Sequence, residues 1–90
     1  MLERCVTIKN ALGLHARAAA QLVRMANGFK CRVTIKRHDN GVSANAKSIL
    51  SVLHLAAAYG VALSIIVDGE DESVAAEAIE KLFLDGFGEI

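Results

Sequence analysis

The chain has 90 residues, 53% of them hydrophobic, and no proline. This length supports one small core, so we predict a single domain over residues 1–90. No stretch approaches the roughly 20 apolar residues of a membrane helix, and the first residues lack the basic start and apolar run of a signal peptide. We therefore expect a cytoplasmic protein without a membrane span, in which Cys5 and Cys31 remain free thiols.

Charge separates along the chain, although the net charge is zero. Residues 1–47 carry nine Lys and Arg against two acids, a net +7, and residues 48–90 carry one lysine against eight acids, a net −7. This asymmetry predicts a basic face around His15 that meets acidic partners. Chance segregation of solvated surfaces would give the same counts, so that alternative stays open.

Alternating apolar and polar residues predict strands, and apolar residues repeated every three or four positions predict helices. Strands are expected over residues 2–9, 31–36, 42–45 and 62–67. Helices are expected over residues 16–27 and 46–53, and from the acids at 68–72 to near Gly86. The order β-α-β-β-α-β-α, with one apolar stripe per helix, predicts an α+β open-faced β-sandwich. In it, three helices cover one face of a four-stranded antiparallel sheet.

The sequence also predicts where the first helix and the second strand end. Asn27-Gly28 is typical of a left-handed cap at its end. Asn40-Gly41 is typical of a hairpin turn between the second and third strands. The inward face of the helix is expected to consist of Ala16, Ala19, Ala20, Val23 and Ala26.

The stretch from Asn10 to Arg17 carries the residues with the clearest chemistry. His15 stands at the mouth of the first predicted helix, where unpaired amides and the positive end of the macrodipole lie. Arg17 follows two residues later, and its planar fork of donors fits phosphate oxygens. A nucleophilic imidazole, a helix N-terminus and an arginine together can receive a phosphoryl group. The alternatives are a surface or helix-capping histidine without a role and a solvated arginine at a helix start.

Three motifs in this element order resemble HPr, the histidine phosphocarrier of the bacterial phosphoenolpyruvate-dependent phosphotransferase system. They are Gly13-Leu14-His15-Ala16-Arg17, Gly28-Phe29 and Ala46-Lys47-Ser48-Ile49, and the likeness covers about residues 2–85. The resemblance implies that Enzyme I phosphorylates His15 on Nδ1 and that a IIA-type component receives the group. It implies that Arg17 steadies the phosphate and that the protein is a monomer without a cofactor.

Ser48 falls where the family has a regulatory serine, which HPr kinase/phosphorylase modifies in some bacteria. A serine that only caps its helix is an equal alternative. The resemblance also implies a partner-binding surface made of Leu14, Ala18, Lys47 and Ile49. We expect Leu14 and Ile49 to be exposed, whereas Leu50 and Leu53 point inward. Ordinary core packing is the alternative for all four leucine and isoleucine side chains.

One departure from the family lies beside the histidine, where Ala18 replaces the usual proline. Proline in a first helical turn presets φ, so alanine leaves a looser helix start, an effect of roughly 0.4–1 kcal/mol. The hairpin before Ser48 is slightly longer than usual, which we expect to be neutral.

A regulatory phosphoprotein is the alternative function. The ending Leu82–Phe87 resembles NPr, the nitrogen-related paralogue of HPr, while the motif around Ser48 resembles the kinase-regulated branch. Nucleic-acid binding is the weakest alternative, because the aromatic residues form no alternating pair on a strand. No metal site is predicted, since the cysteines and His38 and His54 lack metal-ligand spacing.

Overall fold

A four-stranded antiparallel sheet forms the frame of the molecule in the computed structural model, which describes all residues from Met1 to Ile90. The strands lie in the order β1-β4-β2-β3. Their bounds are β1 Leu2–Thr7, β2 Arg32–Arg37, β3 Ser43–Asn45 and β4 Ala62–Asp68. The helices are α1 Ala16–Ala26, α2 Ile49–His54 and α3 Glu72–Leu84, and a 3₁₀ turn, Gly86–Gly88, follows. The predicted α+β open-faced sandwich is confirmed.

The core lies between the sheet and the three helices. Strand β4 is central, pairing with β1 on one side and with β2 on the other. Its side chains Leu63, Ile65 and Val67 are completely buried, as the apolar composition of this strand indicates. Burial of each such side chain stabilises the fold by about 1.5–3 kcal/mol relative to exposure. None of the helices has the length and apolarity needed to cross a membrane.

Helix α1 buries only part of the predicted stripe: Ala19 and Ala26 are buried as expected. Leu22 is completely buried, whereas Ala16 is exposed and Val23 is half-buried. Alanines occur on several sides of this helix, so their positions alone do not define its rotation, which follows the burial of Leu22. The left-handed cap was also a wrong prediction, because Asn27 has a φ of −70°. Its side chain instead donates to the carbonyl oxygens of Val23 and Lys47.

Helix α2 begins at Ile49, three residues later than predicted, and Ser48 is its N-cap. The later start changes which residues face the core. Val52 and Leu55 are buried, while Leu50 is 77% exposed and Leu53 is 37% exposed. The prediction that Leu50 and Leu53 point inward was therefore wrong, whereas the exposure of Ile49 is confirmed.

Candidate functional site

A close backbone contact fixes the loop that precedes α1. The amide of Leu14 donates to the carbonyl oxygen of Ala57 at 2.9 Å. Gly13 has a φ of +65°, and a Cβ atom there would lie 2.5 Å from the same oxygen. Only glycine fits this approach. The side chain of Leu14 packs into the core, so the prediction that it is exposed was wrong. Leu14 therefore anchors the loop to the core and is not available for contact with a partner.

His15 occupies the N-cap position of α1, as the motif predicts. Its backbone is extended, with φ −72° and ψ 178°, and its carbonyl oxygen accepts from the amide of Ala19 at 2.8 Å. The imidazole makes no capping hydrogen bond to the helix, and a quarter of its surface is exposed. The first-turn amides of α1 have no intrahelical acceptor, and their dipoles favour an anion beside the ring.

The carboxylate of Glu89 lies against His15 and Arg17. Its Oε2 is 2.5 Å from His15 Nε2 and accepts from Arg17 Nη2 at 3.1 Å. Its Oε1 accepts from Asn10 Nδ2 at 2.9 Å, and this buried amide also donates to the carbonyl oxygen of Gly13. Hydrogen bonds from Asn10, His15 and Arg17 lower the pKa of Glu89 to about 2. Three donors therefore hold one anionic group at the start of α1.

The 3₁₀ turn after α3 delivers Glu89 to this place. Phe87 is buried there and meets Phe83 edge to face, with ring centroids 5.0 Å apart. The side chain of Gln21 donates to the carbonyl oxygen of Phe87 at 3.3 Å. Phe87 thus anchors the turn on α1 and α3. Beside it lies an open hollow of about 440 Å³, lined by Ala11, Leu12, Arg17, Phe87, Gly88 and Glu89.

Sequence reasoning missed Glu89 and Asn10. The signal for Glu89 was the charge asymmetry: an acid from the negative half of the chain meets Arg17 from the positive half. The basic face predicted around His15 is therefore neutralised in part by the chain itself. The signal for Asn10 was its place at the start of the motif, but nothing in the sequence indicated a buried amide.

The other predicted site residues make no hydrogen bond to the imidazole. The Ser48 side chain accepts from the amide of Ser51, which confirms the capping prediction. Ile49 is exposed and Lys47 half-buried, with Lys47 Nζ donating to the carbonyl oxygen of Phe29 at 2.7 Å. Ala18 is completely buried, so its side chain offers no surface to a partner. No hydrogen bond joins Ser48 to His15 or Glu89.

Fold and site together define the class of the protein: an open-faced α+β sandwich that presents a histidine at the start of its first helix. The model of the PTS-HPr family, described as the PTS HPr component phosphorylation site, matches residues 2–85. The chain therefore belongs to the HPr family, the phosphocarriers of the phosphotransferase system.

Individual relatives agree with this assignment. The phosphocarrier protein HPr of Xylella fastidiosa strain Temecula1 is 44% identical over 89 residues, which cover 99% of this chain and 98% of that protein. The phosphocarrier protein NPr of Proteus mirabilis is 43% identical over 86 residues, covering 96% of this chain and 94% of that one. A crystal structure of HPr from Thermoanaerobacter tengcongensis is 34% identical, covers 100% of this chain and 99% of its own, and superposes with a TM-score of 0.93.

Proposed function

We propose that His15 accepts a phosphoryl group from Enzyme I and passes it to a IIA-type permease or regulatory component. The observation that carries this proposal is the convergence of donors from Asn10, His15 and Arg17 on the carboxylate of Glu89. These contacts show that the start of α1 holds an anion; the remaining donors of Arg17 and the unpaired first-turn amides of α1 can in the same way bind the oxygens of a phosphoryl group on His15.

The site supplies the few parts that phosphoryl transfer requires. A neutral imidazole nitrogen is the nucleophile, and transfer depends mainly on positioning and on stabilising the phosphoryl oxygens. Arg17 is more than two-thirds exposed at its side chain, so its guanidinium can follow an arriving phosphate. The backbone anchor at Leu14 keeps the ring in place while the group arrives.

A partly apolar surface beside the site suits docking partners. Leu12, Ile49, Leu50 and Leu53 are exposed large side chains, and Leu12 lines the hollow that Arg17 and Glu89 share. Lys47, two residues before Ile49, adds a positive charge to this surface. We assign Enzyme I and the acceptor component to this surface, with the protein acting as a cytoplasmic monomer. The side chains of Leu14 and Ala18 are buried in the core and do not form part of this surface.

Phosphorylation of Ser48 by HPr kinase/phosphorylase would regulate this docking. Ser48 directly precedes the exposed Ile49, so a phosphate would add roughly −1.5 to −2 charges beside an apolar contact. Docking of Enzyme I would weaken, whereas a partner that offers arginines would gain.

The test uses intact mass after incubation with Enzyme I and phosphoenolpyruvate. We expect one acid-labile phosphate on the wild-type protein and none on His15→Ala. His54→Ala is the matched control, because His54 is exposed and lies on α2. This variant should be phosphorylated like the wild type. A phosphate on His15→Ala would refute the assignment.

A further inference from the structure

The hydrogen bond between His15 and Glu89 determines which ring nitrogen carries the proton. An ionised carboxylate can only accept, and Glu89 is ionised throughout the neutral range because its pKa is lowered to about 2. Nε2 must therefore be the protonated nitrogen, donating to Oε2 across 2.5 Å. In the neutral imidazole, the lone pair of Nδ1 is then free.

Glu89 is held in this position independently of the histidine. Its other oxygen accepts from Asn10, whose amide is completely buried and tied to the carbonyl oxygen of Gly13 at 2.8 Å. The preceding turn is anchored by the buried ring of Phe87. The carboxylate is therefore a fixed part of the site.

Two charged side chains lie beside the imidazole ring of His15, one from α1 and one from the turn after α3. Glu89 approaches from the turn after α3, and Arg17 approaches from α1 and shares the same carboxylate oxygen. The loops at residues 10–14 and 55–58, which meet at the Leu14–Ala57 hydrogen bond, carry no charged side chain. Glu89 is therefore the anionic partner that the structure gives to Nε2.

We infer that Glu89 is a positioning residue that keeps the proton on Nε2 of His15 both before and after phosphorylation, so that Nδ1 acts as the nucleophile and later as the leaving atom of a neutral imidazole. This inference rests on the proposed function of His15 as the phosphoryl acceptor. Glu89 lies beyond residues 2–85, the part of the chain that the family model matches.

The retained proton matters in both directions of transfer. On acceptance, the Nδ1 lone pair forms the bond to phosphorus, and the bond from phosphorus to the donor breaks with its electron pair leaving on the donor. The ring then carries a positive charge, which Nε2–H shares with Glu89. On discharge, the acceptor's lone pair attacks phosphorus and the N–P electron pair returns to Nδ1.

We expect Glu89 to affect the discharge of the phosphohistidine more than its formation. If Nε2 keeps its proton, the departing group is a neutral imidazole. If Nε2 has lost it, the departing group is an imidazolate anion, which leaves far less readily. A carboxylate beside Nε2 favours the protonated ring and extends the pH range over which the phosphohistidine stays transferable.

The test compares the pH profile of discharge for wild type and Glu89→Gln. Both proteins are phosphorylated with Enzyme I and phosphoenolpyruvate and freed of both, and the transfer of their phosphoryl group to water is followed by ³¹P NMR between pH 5.5 and 9. Glutamine keeps an oxygen that can accept from Nε2 but removes the charge. We expect the midpoint at which discharge slows to fall by about one pH unit in Glu89→Gln, the size expected for loss of a neighbouring opposite charge. Above that midpoint, its discharge should be several-fold slower, and at pH 5.5 the two proteins should be equal.

Glu70→Gln is the matched control. It removes the same charge from an exposed position in the turn after β4, at the opposite end of the sheet from His15, because Thr7 pairs with Ala62 and Leu2 with Val67. Its midpoint should equal that of the wild type. Equal midpoints for wild type and Glu89→Gln, or the same shift in both variants, would overturn the role of Glu89 alone. Absence of phosphate on wild-type His15 would overturn the proposed function and this inference together.

Discussion

Arg17 uses only a small part of its donor capacity within the protein. A single nitrogen reaches Glu89, and the side chain is 68% exposed. An exposed ion pair of this kind contributes little to stability, because solvent screens it and the side chain loses entropy. Its remaining donors are available to a phosphoryl group. The residue is therefore expected to act on transfer.

The variant Arg17→Ala tests this division of roles. Its free energy of unfolding should change by less than about 0.5 kcal/mol, as for ordinary surface substitutions. Phosphorylation of His15 by Enzyme I should slow by roughly a hundredfold, the loss typical of one donor to a developing oxyanion. Urea unfolding and rapid-quench kinetics measure the two effects. Arg24→Ala, an exposed arginine on the same helix, should change neither. A large loss of stability with unchanged transfer would reverse the assignment.

Local spacing pointed to two residues of the candidate site. His15 and Arg17 lie two residues apart at a helix start, and that pattern is visible in any short window of sequence. Glu89 meets His15 across 74 residues, and periodicity holds no information about which distant side chains come together. Asn10 is polar, so the hydrophobic pattern predicts that it is exposed, whereas it is completely buried.

At the scale of elements, the connection from α2 to β4 contains a strained residue. Ala56 has a φ of +51°, a left-handed conformation that disfavours any residue with a Cβ atom. Arg37 steadies the turn, with Nη1 donating to the carbonyl oxygens of Leu55 at 2.8 Å and Ala56 at 3.3 Å. The following residue, Ala57, accepts the hydrogen bond that anchors Leu14. The strained turn thus supports the loop that holds His15.

Replacement of Ala56 by glycine should stabilise the protein. Relief of the left-handed strain raises the free energy of unfolding by about 1–2 kcal/mol. The greater freedom of glycine in the unfolded chain lowers it by about 0.5–1 kcal/mol. We expect a net gain of about 0.5–1 kcal/mol in urea unfolding. Ala58→Gly is the control of opposite sign: Ala58 has no positive φ, so only the entropic loss remains. Equal effects of the two variants would contradict the strain argument.

Over the whole molecule, the element order fixed by periodicity was sufficient to predict the sandwich. The rotations of α1 and α2 were not predictable, because alanine-rich and leucine-rich runs fit several phases equally well. Long-range polar contacts complete the frame. The carboxylate of Asp71 accepts from the amides of Lys30 at 2.8 Å and Cys31 at 2.9 Å, which ties the start of α3 to the entry of β2. Sequence pattern gave no sign of this link.

These carboxylates predict how stability depends on pH. Amide donors from Lys30 and Cys31 lower the pKa of Asp71, the amide of Gly69 lowers that of Glu72, and the donors around Glu89 lower its pKa to about 2. A lowered pKa in the folded state gives stability that is present above the unfolded pKa, near 4–4.5, and is lost as pH falls through the folded pKa. The thermal midpoint should therefore stay level from pH 8 to 5 and fall between about 4.5 and 2.

Asp71→Asn checks that prediction at one position. The amides of Lys30 and Cys31 bind different oxygens of Asp71, and asparagine would place an NH2 donor against one of them, so this variant should melt lower than wild type at pH 7. The difference should shrink as pH falls below about 4, where the wild-type carboxyl also becomes neutral. Glu77→Gln, an exposed acid on α3, should follow the wild type at every pH. A constant difference between Asp71→Asn and wild type would exclude the linkage.

The contact between His15 and Glu89 also determines when, during synthesis and folding, the site comes into being. A chain leaves the ribosome N-terminal residues first, so the histidine motif emerges long before the acid that completes its surroundings. Strand β1 likewise waits for β4, its only neighbour in the sheet. Contacts between residues this far apart in sequence form late in folding, because closing the long loop between them costs entropy before the contact stabilises the chain. A nascent chain is therefore expected to display His15 without its hydrogen-bond partner, and Glu89 should reach the ring only after the turn at Phe87 has docked.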